Sequence, residues 1–486
     1  MPLPDALFAS LMDVEGFDKE AFEKVHHEGR PVVSVRINPA KTSVVNGRWS
    51  IDRIHGHDDA DNRSHQGAAT IHPTFNIGQA VPWSQYGFYL EQRPSFTFDP
   101  LFHAGCYYVQ EASSMFLEQA LKQLIDLSQP LKILDLSAAP GGKSTHIQSL
   151  LSEESLLVSN EVIRSRCNVL VDNIIKWGSS NVIVTNNDPA AFNKLSGYFD
   201  VIVVDAPCSG SGLFRKDPDA INEWSLNNVA LCSQRQQRIL ADVLPALQQN
   251  GLLIYSTCSY SKEEDEDIAD WLVQEFEMKN ERLRLEKEWG IVESESPRTK
   301  SRGYRFYPDK VKGEGFFISC FRKTTEENEA KLKPAKLEKA SAKEKAILQD
   351  WLKDGNRELI KDNTSFAALP PGLVNAFALL RTALNVSYKG TGLGQIMKDK
   401  LVPAHSLALS TILSDDIFTT GVSYEEAIKY LQRGELSLTP VTSGWQTVNY
   451  QKQALGWINA LANRINNYYP KELRILKREN DSAFEK

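Results

Sequence analysis

The sequence predicts a doubly wound α/β sheet flanked by a smaller domain at each end. Three observations carry that expectation. Short runs rich in Val, Ile and Leu recur between residues 110 and 322, helix-length segments separate most of them, and polar or reactive residues stand where successive runs end. Near-continuous apolar strands suit a parallel sheet covered on both faces, and their alternation with helices argues the doubly wound arrangement. A chain of 486 residues has room for several domains of roughly 100–200 residues.

In chain order, residues 1–110 mix helix-like and strand-like pieces with the turn-rich IHPTFNIGQAVPWSQYG and read as a small α+β extension. The strands of the central domain, residues 111–323, are LKILDLS, SLLVSNE, NVIVTNN, FDVIVVDA, GLLIYST and GFFISCF. Asp135 closes the first, Glu161 the second and Asp205 the fourth; Asp188 follows the third and Cys258 lies just past the fifth. Ligands of such sheets lie at the carboxyl ends of the strands. Taken singly, each carboxylate reads equally well as a cap or turn residue. TTEENEAKLKPAKLEKASAKEKA, from residue 324, has mixed charge and almost no large apolar side chain. It reads as a linker into a charged helix, opening an intermediate region, residues 324–400, before a last domain, residues 401–486.

The loop after the first strand, SAAPGGKST, ends like a triphosphate-binding loop. That loop needs G-x-x-x-x-G-K-[ST], and Ser137 stands where its first glycine belongs; the dinucleotide pattern G-x-G-x-x-G is absent too. What remains is a proline before two glycines, a tight turn that lets backbone N–H groups at a helix start near Lys143 approach an anion such as a carboxylate. An acid at the second strand end suits ribose hydroxyls. The loop therefore favours a cofactor with a ribose and a carboxylate over one with a pyrophosphate, and an ATPase is the competing class.

The net charge of −7 argues against a nucleic-acid partner at first sight, but from residue 321 onward Lys and Arg outnumber Asp and Glu, a pointer to a basic partner-binding part. Solvated lysines are the plain alternative. No run approaches the length of a membrane span and no basic-then-apolar leader begins the chain, so a cytoplasmic protein is expected. Six cysteines, at 106, 167, 208, 232, 258 and 320, are too sparse for a disulfide framework and form no C-x-x-C pair, so no metal site is expected. Most read as buried filler, whereas Cys208 in DAPCSGSG and Cys258 in YSTCSYS sit among small polar residues at strand ends.

These segments resemble the NOL1/NOP2/Sun family of RNA 5-methylcytosine methyltransferases. The resemblance rests on DLSAAPGGKSTH, SNE, DAPCSGSGLFRKDPDA and YSTCSYSKEEDE, with GCYYVQEASSM and SVRINPAKTS upstream. It implies a class I, Rossmann-like fold dependent on S-adenosyl-L-methionine. Ser137, Ala138, Ala139, Pro140, Gly141, Gly142 and Lys143 would then enclose the methionine end of the cofactor, Glu161 the ribose and Asp188 the adenine, with Asp205 bordering both cofactor and base. Because C5 of cytosine is a poor nucleophile, a thiolate must first add to C6. The resemblance gives that role to Cys258, base positioning to Asp205 and product release to Cys208. It makes Arg36 and Asn38 candidate RNA contacts, and Phe214, Arg215 and Lys216 candidates for stacking on or neutralising flanking RNA.

LGWINALANRINNYYPKELRI, with TSGWQTVNYQKQ before it, resembles the PUA-like RNA-binding extension of bacterial small-subunit ribosomal RNA methyltransferases; an amphipathic helix is the alternative. The expectation is 5-methylcytosine formation in 16S ribosomal RNA, on the free RNA or within the 30S subunit, by a monomer with no membrane partner. A transfer-RNA cytosine methyltransferase and a catalytically silent ribosome-assembly factor are the alternatives.

Overall fold

The computed structural model describes residues 3–45, 48–50, 75, 77–327, 331–438, 440 and 442–477. Part of the turn-rich stretch expected upstream of residue 80, at residues 71–74 and 76, lies outside them.

The central layer is a ten-stranded mixed sheet. Its strands are β1 (Lys132–Asp135), β2 (Leu156–Asn160), β3 (Val182–Thr185), β4 (Phe199–Asp205), β5 (Leu247–Thr257), β6 (Lys279–Glu281), β7 (Val292–Glu295), β8 (Arg302–Phe306), β9 (Phe316–Arg322) and β10 (Val386–Lys389). They run in the order β7-β8-β9-β5-β4-β1-β2-β3-β10, with β6 paired to β9. The pairs from β3 through β5 are parallel, while β9 and β10 close onto them antiparallel. All six strands read from the sequence are present.

The strands are apolar throughout because both faces are covered. Ile133, Val201, Val203, Leu252 and Ile254 pack on one face with Ile147 of α1 (Gly142–Leu150) and with Leu170 and Ile174 of α2 (Arg164–Trp177). The intervening Leu134, Ile202, Val204, Leu253 and Tyr255 pack on the other with Leu240 of α3 (Leu226–Val243) and with Ile268 and Leu272 of α4 (Glu266–Phe276). Side chains alternate between faces along a strand, so each strand feeds two cores. The chain winds outward from β1 to β3 and then resumes on the other side with β4, so the loops after β1 and β4 meet at a topological switch point.

Upstream, the helices Asp5–Leu11 and Lys19–Glu28 pack Leu7, Phe8, Leu11 and Phe22 against Phe214, Trp224, Tyr260 and Tyr307. A four-stranded sheet follows, containing Ser34–Ile37 and Tyr107–Val109. Downstream, Ala342–Gln349 is helical as expected, capped reciprocally by Ser341 and Glu344, and a five-stranded sheet follows over residues 338–403. The last sheet pairs Gly444–Tyr450 with Gln453–Leu461 and the latter with Arg464–Asn467. The segment with an amphipathic-helix alternative is thus a β-hairpin; Leu455, Trp457 and Ile458 are buried within it. Val448, Leu455 and Ile458 share one apolar cluster with Val35, Ile37 and Tyr107, so the C-terminal sheet packs on the N-terminal extension. Among the described residues no helix is long and apolar enough to cross a membrane.

Candidate active site

β1 ends on Asp135, and the chain turns through Ser137–Gly141 into α1. Gly141 caps that helix at φ +115°, and a Cβ there would lie 3.3 Å from Leu170 Cδ1, so the turn requires glycine. α2 holds the outer side of the loop: Asn173 Nδ2 donates to Pro140 O at 2.7 Å and Arg166 to Ala139 O at 2.9 Å. First-turn N–H groups of a helix lack intrahelical partners, which makes the start of α1 a site for an anion. A cavity of about 170 Å³ opens there, lined by Ser137–Pro140, Gly142, Lys143, Asp205 and the segment Tyr108–Glu111.

Asp135 is completely buried, with Oδ2 2.6 Å from Ser144 Oγ and Oδ1 without a hydrogen-bond partner among the described residues. Burial pushes its carboxyl up to about 7, against the opposing pull of Ser144 and Lys143. Glu161, buried at the end of β2, accepts the Ile163 N–H at 2.9 Å and faces Arg166 at 3.5 Å. Asp188 is exposed past β3, where it accepts the Ala190 N–H at 3.0 Å as the cap of a short 3₁₀ turn. Neither Glu161 nor Asp188 lines the cavity. The chain just before Asp188 is held from far away: Asn385 N donates to Asn187 Oδ1 at 2.9 Å, and Asn385 O accepts from Asn186 N at 3.0 Å and Asn187 Nδ2 at 3.1 Å.

Asp205 ends β4 and pairs in register with Ser256 of β5. Its Oδ1 accepts from Ser256 Oγ at 2.8 Å and its Oδ2 lies 2.8 Å from Lys143 Nζ. Burial works to lower the Lys143 ammonium, but Asp205, Asp135 and Cys258 outweigh it and hold that ammonium above its ordinary value. The ion pair therefore ties the loop Ser137–Lys143 to the end of β4.

The two cysteines singled out by their surroundings are brought together. Cys208 and Cys258, both half-buried, place their sulfurs 2.9 Å apart as free thiols, while the other four cysteines are buried apolar filler. The contact with Cys258 and burial push the Cys208 thiol well above its usual value. Their loops are interlocked: Gly212 N donates to Cys258 O at 2.8 Å, and Tyr260 N donates to Ser211 Oγ at 2.9 Å. A Cβ on Gly212 would sit 2.6 Å from Gly315 O and 2.8 Å from Cys258 O, so only glycine allows this approach. Ser256, Asn385 and Glu264, which bonds to both cysteine loops, were not legible as site residues; Glu264 sits in an acidic run indistinguishable from a solvated face.

Arg36 and Asn38, expected as RNA contacts, are instead completely buried. The Arg36 guanidinium bonds Gln110 Oε1 at 2.8 Å and Thr145 Oγ1 at 2.6 Å and lies over the Trp177 ring, while Asn38 Nδ2 bonds Gly105 O and Trp177 O. Both fasten the N-terminal extension to α1 and α2. Burial lowers the Arg36 guanidinium to about 9. Phe214 is buried in the N-terminal helical cluster, and the Arg215 side chain is 4% exposed beside Glu314, so neither is placed to meet RNA; Lys216 is exposed. The C-terminal lysine excess is partly spent in ion pairs, Lys339 with Glu358, Lys353 with Asp415 and Lys361 with Glu344.

A glycine-bearing turn opening on a cavity at the switch point of a doubly wound sheet, with acids at the neighbouring strand ends, defines a class I S-adenosylmethionine-dependent methyltransferase. Family models agree: residues 122–322 match the 16S rRNA methyltransferase RsmB/F model, residues 418–475 the methyltransferase RsmF PUA domain, and residues 60–112 the RsmF N-terminal domain. Ribosomal RNA small subunit methyltransferase F of Vibrio vulnificus is 30% identical over 83% of this chain and 86% of its own length. The same-named protein of Aliivibrio salmonicida is 29% identical over 97% of both chains. The chain belongs to this RsmF family. A crystal structure named PH0851 shares the fold, with a TM-score of 0.54 and 22% identity over 66% of each chain.

Proposed function

We propose that this protein methylates C5 of a cytosine in 16S ribosomal RNA through a covalent cysteine adduct. The observation that carries the reading is the pair of thiols in contact at the ends of adjacent strands, beside Asp205 and the loop Ser137–Lys143. Cys258 is the nucleophile: its sulfur adds to C6 of the base, and the ring electrons so displaced make C5 nucleophilic. Bound S-adenosylmethionine supplies the electrophilic methyl group. A general base then takes the C5 proton, the C5–H electrons restore the C5–C6 double bond, and the S–C6 bond breaks with its electron pair leaving on Cys258, assisted by Cys208. Asp205, fixed by Lys143 and Ser256, positions the base at N3 and the exocyclic amine.

In this reading the start of α1 takes the cofactor carboxylate, Glu161 the ribose hydroxyls and Asp188 the adenine side. The target cytosine leaves its stack to reach the site. The chain divides into an N-terminal RNA-binding extension (1–110), the catalytic domain (111–323), a linker and intermediate domain (324–400) and a PUA-like RNA-binding domain (401–486). Because β10 lies beyond the linker, the intermediate domain also braces the catalytic sheet. The protein works as a cytoplasmic monomer on the RNA or the 30S particle. Mapping 5-methylcytosine in RNA from cells with and without the gene tests the assignment: loss of a 16S site is expected, whereas loss from transfer RNA alone, or from no RNA, contradicts it.

A further inference from the structure

Glu264 stands between the two thiol loops. It belongs to the acidic run after Cys258, yet its side chain is completely buried. Its Oε1 accepts from Ser209 N at 2.8 Å and from Gln236 Nε2 at 3.2 Å, and its Oε2 from Ser209 Oγ at 2.5 Å and Ser259 Oγ at 2.6 Å. Ser209 follows Cys208 and Ser259 follows Cys258, so one carboxylate grips the residue next to each sulfur. The grip is itself anchored. Tyr255 donates its hydroxyl to Glu264 O at 2.6 Å, and Gln236 of α3 also donates to Pro207 O at 3.0 Å, on the other side of Cys208.

The chemistry of the group matters here. An ionised carboxylate only accepts hydrogen bonds and offers about four lone-pair sites, which four neutral donors fill. An amide of the same shape turns a donor toward those donors and breaks part of the set. Burying a carboxylate is costly unless it is fully bonded, so simple filling of the core does not account for an acid at this position.

We propose that Glu264 is a positioning residue that holds the Cys208 and Cys258 sulfurs in contact by fixing both loops at once. The inference rests on the reading of those cysteines as the reacting pair and deepens it. Glu264 acts through Ser209 and Ser259 and does not itself meet the base.

The test uses the full-length protein and its Glu264→Gln and Ser259→Ala variants with two readouts. The first is the rate at which diamide joins Cys208 to Cys258 without RNA, followed by peptide mass spectrometry; each thiol gives up one proton and one electron, and diamide is reduced to the hydrazine. The second is steady-state methyl transfer to 16S RNA. For Glu264→Gln, cross-linking about 10-fold slower than wild type and kcat about 100-fold lower are expected, with KM for RNA and for S-adenosylmethionine within about twofold. Ser259→Ala, which leaves both Ser209 bonds to Glu264 intact, moves both readouts in the same direction by less, and it decides the matter if Glu264→Gln does not fold. Wild-type cross-linking rates in the folded variants overturn the proposal, whether or not turnover has fallen. Glu264-dependent cross-linking in a protein that makes no 5-methylcytosine leaves the positioning role standing and overturns the cytosine reaction instead.

Discussion

Cys208 and Cys258 meet sulfur to sulfur at 2.9 Å although 50 residues of chain separate them. The parallel pairing of β4 with β5 brings them together, because Asp205 lies opposite Ser256 and the cysteines follow these paired residues by three and two positions. The same register sets Ser256 against the Asp205 carboxylate, whose other oxygen faces Lys143. One strand pair thus brings the two thiols, proposed as nucleophile and release group, and the acid proposed to position the base beside the loop Ser137–Lys143.

Gly141→Ala tests the loop. The left-handed φ and the Leu170 contact together should cost about 1–3 kcal/mol of strain. The expected outcome is a lower unfolding midpoint and weaker S-adenosylmethionine binding in calorimetric titration, with Cys208–Cys258 cross-linking by diamide unchanged.

Asp205→Asn removes the charge that faces Lys143. Methyl transfer should fall about 100-fold or more, in the range seen when a group acting on the reacting base is lost. Stability should fall far less than activity, because Ser256 still has an acceptor and Lys143 still faces Asp135. Single-turnover kinetics alongside urea unfolding would show the split; equal losses in both would assign Asp205 to the fold.

Asp135 gives a pH signature. Its folded value, about 7, lies above the ordinary 3.8, so the native state binds the extra proton between these values. The stabilisation is fully present below about pH 4 and is lost as pH rises through 7, at up to about 1.4 kcal/mol per pH unit. Asp135→Asn should therefore gain stability relative to wild type between pH 5 and 8, measured by urea unfolding. A constant difference across that range would place the titration elsewhere.

Asn187→Ala removes both side-chain bonds that tie the chain before Asp188 to the Asn385 backbone, from beyond the linker. Loss of about 1 kcal/mol of positioning should raise the Kd for S-adenosylmethionine about fivefold, and an unchanged Kd would separate this loop from the cofactor.

Much of the catalytic sheet was legible because its strands are buried on both faces and so read as unbroken apolar runs. The thiol pair was legible for the opposite reason, since Cys208 and Cys258 stand among small polar residues where filler cysteines do not. Arg36 was expected at the RNA because the resemblance marks its segment as RNA-binding; five donors met by Gln110, Gly142, Thr145 and Ser149, under the Trp177 ring, make its burial tolerable instead. Glu264 was hidden by Glu263 and Asp265, since nothing local distinguishes the acid that turns inward. Asn385 was hidden by distance, because only folding lays residues 386–389 along β3.

The division of labour between the two thiols meets its most direct test in a denaturing gel of enzyme incubated with 16S RNA and S-adenosylmethionine. Cys258→Ala should form no adduct and no 5-methylcytosine. Cys208→Ala should attack but release poorly, leaving a protein–RNA band that survives denaturation. A persistent band with Cys258→Ala and none with Cys208→Ala would contradict the account and exchange the two roles.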